Sequence, residues 1–94
     1  MAFVTISHWT ATEMSNELME TAKNKFMPMI MSVGANGVQM IRTGELTVCV
    51  VTQYVDATAA QQAQAKIAEI REQVAEGFPM KMDSAHAGEV FGSS

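Results

Sequence analysis

The chain has one cysteine, two prolines and no cluster of positive charge, and each scarcity removes a class of explanation. Cys49 alone cannot form an intrachain disulfide or a cysteine-based zinc site. The basic residues (Lys23, Lys25, Arg42, Lys66, Arg71 and Lys81) are scattered, and 6 of them face 10 acidic residues for a net charge of −4. Nucleic acid and anionic membranes both select a concentrated positive surface, so neither partner is expected. No apolar stretch nears the roughly 20 residues of a membrane span. The start, Met1-Ala2-Phe3-Val4-Thr5, lacks the basic and apolar regions of a signal peptide. A cytoplasmic protein is expected. Glycine-rich phosphate loops, nucleophile elbows and zinc-binding signatures are missing too, so no motif calls for a cofactor or a metal.

What is present is an ordered change of periodicity. With 48% hydrophobic and 17% charged residues, residues 1–94 read as one globular domain. Phe3 to Trp9 alternates only weakly, and its composition reads as a strand buried on both faces, with Phe3, Thr5, Ser7 and Trp9 on one and Val4, Ile6 and His8 on the other. Thr10 and Thr12 are candidate N-caps for a first helix, on which Met14, Leu18, Ala22, Phe26 and Ile30 recur every four residues. It should run to about Ser32, with a kink or an early end at Pro28. Val38 to Thr43 and Leu46 to Val55 read as strands joined by a two-residue Gly44-Glu45 turn. A second helix spans about Ala59 to Glu76, with Ala63, Ile67, Ile70 and Val74 on one stripe; Gly77 suits its C′ position and Pro79 bars continuation. Met80 to Ser84 and Glu89 to Phe91 read as extended, split by a loop at Ala85-His86-Ala87-Gly88.

Strand, helix, strand, strand, helix, strand makes a four-stranded antiparallel sheet with two helices on one face. The other face then lacks cover, and the high apolar share for so small a domain points to a homodimer through it.

This order, the hairpin Gln39-Met40-Ile41-Arg42-Thr43-Gly44 and the tail Gly88-Glu89-Val90-Phe91 resemble small bacterial members of the dimeric α/β-barrel superfamily, whose ferredoxin-like βαββαβ protomers pair sheet to sheet. The resemblance covers about Phe3 to Phe91 as a match of topology and size. It implies relatives as different as cofactor-independent quinol monooxygenases, haem-degrading enzymes, muconolactone isomerases and stress-responsive barrels, so the fold alone selects no reaction.

Two functions remain: binding or transformation of a small apolar or aromatic molecule, monooxygenase-like or isomerase-like, and a non-enzymatic dimeric binding or stress-response module. In the first, His8 is the catalytic base or hydrogen-bond donor, Trp9 and Tyr54 shape a substrate pocket, and Arg42 holds an anionic group through its planar fork of donors. Trp9 and Tyr54, ending antiparallel strands, should not share one wall. An antiparallel last strand beginning opposite His8 would put His86 near Ala2, with the two histidines roughly 20 Å apart at about 3.3 Å per residue. The ordinary roles compete: core aromatics, a hairpin-bracing arginine, a solvated Asp83, a buried inert Cys49. Nine methionines at these spacings form no thioether cluster and suit an adaptable core or pocket.

Overall fold

The first strand is buried on one face rather than on both: Thr5, Ser7, Trp9 and Ala11 are buried, while His8 between them is exposed. In the computed structural model, which describes residues 1–94, the elements are β1 (Phe3–Ala11), α1 (Asn16–Ser32), β2 (Gly37–Arg42), β3 (Thr47–Tyr54), α2 (Ala57–Gly77) and β4 (Met80–Glu89). The strands form one antiparallel sheet in the order β2-β3-β1-β4. This is the ferredoxin-like βαββαβ arrangement.

Register fixes the two faces. Pairing of Phe3 with Tyr54, Thr5 with Thr52, Ser7 with Val50 and Trp9 with Val48 puts these residues together on the face under the helices. The core lies there, where Phe26 and Ile30 of α1 and Ala60, Ala63, Ile67 and Ile70 of α2 close over Tyr54. Phe78 folds back from the end of α2 and meets Phe26 edge to face at 5.3 Å. The opposite face carries Val4, Ile6, His8, Cys49, Val51 and Ile41, and no helix covers it.

Several boundaries differ from the sequence reading, each for a local reason. β1 continues to Ala11, bonded from its amide to the Leu46 carbonyl at 2.8 Å, so the N-cap of α1 moves from Thr10 or Thr12 to Ser15. The Ser15 Oγ accepts from the Leu18 amide at 3.1 Å. Helix α1 runs through Pro28 to Ser32. Proline removes the bond to the Asn24 carbonyl, but Asn24 is exposed and water can satisfy it. The β2–β3 connection is wider than two residues, because Thr43 bonds from its amide to the Thr47 carbonyl at 3.0 Å. Gly44 is not there for a left-handed backbone; only Gly34, after α1, has a positive φ, of 111°. A Cβ on Gly44 would lie 2.6 Å from the Thr47 Oγ1, so a side chain there would force Thr47 to shift. Gly77 stays helical, and the Phe78 amide closes α2 on the Val74 carbonyl at 3.0 Å.

The largest difference is in β4. It is continuous from Met80 to Glu89, with a bulge beside the Trp9 position, and Ala85 to Gly88 form strand rather than loop. Met80 lies opposite Ala11 and His86 opposite Ile6. The histidine rings therefore sit 6.2 Å apart, edge to face, instead of roughly 20 Å. The reason is register: β1 is longer than expected, so β4 begins further along it.

Candidate functional site

Between the helix-covered face of the sheet and the two helices lies a cavity of about 320 Å³. Its floor is Ser7 and Trp9 of β1, Val48, Val50 and Thr52 of β3, and Met40 of β2. Leu18, Ala22, Phe26 and Ile30 of α1 and Ile67, Ile70 and Val74 of α2 form the roof. Met14, Met19 and Met80 complete a wall that adapts easily, since methionine side chains are unbranched and polarisable. A mostly apolar cleft with a few fixed polar groups is the usual build of a small-molecule site, and this volume is at the small end of the roughly 300–1,000 Å³ range.

The polar groups are few. The Trp9 indole donates from Nε1 to the Ser7 Oγ at 2.8 Å, which locks the ring against the sheet and satisfies its one polar atom. Thr52 is buried beside them. Lys23 is held by Glu20 at 2.9 Å across one helical turn. Arg42 sits at the rim, with Nε donating to the Gly44 carbonyl at 3.2 Å and a terminal nitrogen to the Glu45 carbonyl at 2.9 Å. Those bonds brace the hairpin.

Arg71 is the polar group that sequence reasoning passed over. Four residues after Ile67 and three before Val74, it lies within the apolar stripe of α2 rather than behind it. Arg71 lines the cavity, and its apolar stem can follow the stripe. Burial lowers the guanidinium pKa from its ordinary value, an effect partly opposed by the negative charge that Tyr54 nearby acquires on ionising. Burial likewise raises the Tyr54 pKa, and the Arg71 charge partly offsets it.

That pair supports a titration. Tyr54 is the only tyrosine of the chain, so ultraviolet absorbance follows it alone. Its folded pKa is raised above the value of about 10 expected for an unfolded tyrosine. The unfolded chain therefore loses this proton first as pH rises. The associated stability is complete below about pH 10 and is lost as pH climbs through the raised folded value. The expected midpoint lies above 10 in the native protein and returns to about 10 in denaturant, and Tyr54→Phe removes this part of the alkaline destabilisation. A native midpoint at or below 10 would contradict the buried phenol.

The residues singled out in the sequence separate into three environments. Trp9 and Arg42 line the cavity. Tyr54, 1% exposed, belongs to the core cluster next to it and pairs with Phe3, so the two aromatics indeed occupy different places. His8 points from the opposite face, where it is exposed, pairs with Cys49 and Ser84, and packs edge-on to His86. Asp83, at the bulge, accepts a hydrogen bond from the Thr10 hydroxyl and is exposed. Cys49 is buried on the same face as His8.

No protein-family model matches the chain, and no curated protein matches it by sequence. Solved structures do match. SnoaB from Streptomyces nogalater, described as a cofactor-independent oxygenase, superposes with a TM-score of 0.76 at 8% identity, covering 98% of this chain and 95% of its own. MupZ from Pseudomonas fluorescens gives a TM-score of 0.72 at 13% identity over 92% of this chain and 69% of its own. A dimeric ferredoxin-like protein from an uncultured marine organism gives 0.67 at 18% identity over 99% and 98%. At these identities the likeness is one of fold, and the fold of the chain is that of the dimeric ferredoxin-like proteins.

Proposed function

We propose that the chain is a homodimer, joined through the bare sheet face, that binds a small apolar or aromatic molecule between sheet and helices. The observation that carries the binding role is the cavity itself, a mostly apolar space floored by an indole fixed to Ser7. The dimer is supported by the uncovered face with Val4, Ile6, Val51 and Ile41, and by structural neighbours described as dimeric. Trp9 supplies a flat wall, Arg42 a charged rim, and Tyr54 the backing of the neighbouring core. His8 belongs to the dimer face in this reading and takes no part in the cavity.

Trp9 is the only tryptophan, so its fluorescence reports occupancy of the cavity directly. Titration with aromatic alcohols, quinols, haem and aromatic acids should change the emission saturably for at least one class. Unchanged emission and no calorimetric heat with all of them would remove the binding role and leave the non-enzymatic dimeric module.

A second reading, turnover as a cofactor-independent oxygenase, is favoured by the match to SnoaB along nearly its whole length. Dioxygen uptake on adding a bound quinol would establish it, and saturable binding without uptake would confine the protein to binding.

A further inference from the structure

Three cations line the cavity, and two are already engaged. Lys23 is paired with Glu20 at 2.9 Å, and Arg42 donates to the carbonyls of Gly44 and Glu45. Arg71 differs. The two ion pairs of the chain, Lys23 with Glu20 and Lys66 with Glu69, do not include it, and no side-chain hydrogen bond of the chain involves it. It is half-buried, lies on α2 between Ile67, Ile70 and Val74, and lines a mostly apolar space. A cation in such surroundings ordinarily finds an anion, because taking it from water without a partner is unfavourable. The planar fork of a guanidinium matches a carboxylate with two parallel bonds.

From this arrangement we infer that the cavity is selective for a small monoanionic amphiphile, an acid whose carboxylate meets Arg71 while its apolar body lies along Trp9 and the methionines. The inference rests on the binding role proposed above and narrows it to one charge class. Net negative charge does not oppose it, since the cavity's one carboxylate residue, Glu20, is neutralised by Lys23. Burial lowers the Arg71 pKa, which agrees with a guanidinium short of partners, and the neutral Tyr54 phenol beside it does not compensate the charge.

The test uses three ligands of equal shape: 4-butylbenzoate, 4-butylbenzyl alcohol and 4-butylbenzylamine. Each is titrated against the intact protein with Trp9 fluorescence and calorimetry as readouts. The acid should bind roughly ten- to a hundredfold more tightly than the alcohol, the range of a hydrogen bond to a charged group, and the amine more weakly than both. Arg71→Gln should bring the acid down to the level of the alcohol, with an unaltered thermal melt showing that the variant keeps its fold. Arg71→Lys should restore part of the preference. Equal affinity for acid and alcohol in the native chain would overturn the selectivity and leave the binding role intact. A preference that survives Arg71→Gln would overturn the assignment to Arg71. If none of the three binds, the selectivity for such an acid is overturned, and the binding role is decided by the wider series of alcohols, quinols, haem and acids.

Discussion

Val51→Glu should convert the protein from dimer to monomer without unfolding it. Val51 lies mid-strand in β3, opposite Ile6 of β1 and Gln39 of β2, at the middle of the uncovered face. A closed two-fold interface presents the same patch twice, so one substitution places two carboxylates in it. An uncompensated buried charge costs about 3–5 kcal/mol, or roughly a hundred- to several-thousandfold in dissociation constant. Light scattering should report a mass near 10.2 kDa for the variant and about twice that for the native chain at the same micromolar concentration. Gln62→Glu adds the same charge on the exposed face of α2 and should leave the dimer whole. A native chain that scatters as a monomer, or a Val51→Glu variant that remains dimeric, would refute pairing through this face.

Phe26→Ala should be the most damaging single truncation for stability. Phe26 is 1% exposed, joins α1 to α2 within the core cluster, and carries the edge-to-face contact with Phe78. Removing a buried phenylalanine costs about 3–5 kcal/mol, from lost burial and from the void left behind. Folded domains have only about 5–15 kcal/mol in hand. At about 4–8 °C per kcal/mol for a domain of this size, the melting temperature should fall by at least roughly 12 °C. Phe78→Ala, which truncates a half-buried partner, should cost less. A loss below about 1 kcal/mol for Phe26→Ala would mean that the two helices do not depend on this contact.

Much of the fold was legible because the strongest signal, period, was strong here. Four-residue spacing from Met14 to Ile30 gave the buried side of α1, whereas the weak alternation in Phe3 to Trp9 sorted residues by face without showing that only one face of β1 is buried. What escaped was set by tertiary pairing. Ala85-His86-Ala87-Gly88 has little strand propensity of its own and becomes strand by lying along Val4 to Ser7. That pairing also set the histidine separation, which no local count could supply. In the candidate site, Trp9 was visible as an aromatic at a strand end. Arg71 was missed because a lone arginine on a polar-rich helix reads as a solvated residue, although its spacing from Ile67 and Val74 held the clue. Arg42 was noticed for its charge, but the carbonyls of Gly44 and Glu45 that occupy its donors are found only once the hairpin has closed.

The most direct measurement of where a ligand sits is methyl NMR of the labelled native protein with 4-butylbenzoate added stepwise. Sheet geometry separates the two faces cleanly, since Val50 and Val51 are neighbours in sequence on opposite sides. Methyl signals of Val50, Ile67 and Ile70, which line the cavity, should shift saturably, while those of Ile6 and Val51 stay in place. Shifts confined to Ile6 and Val51, or none at any of the five, would contradict a binding site between the sheet and its helices.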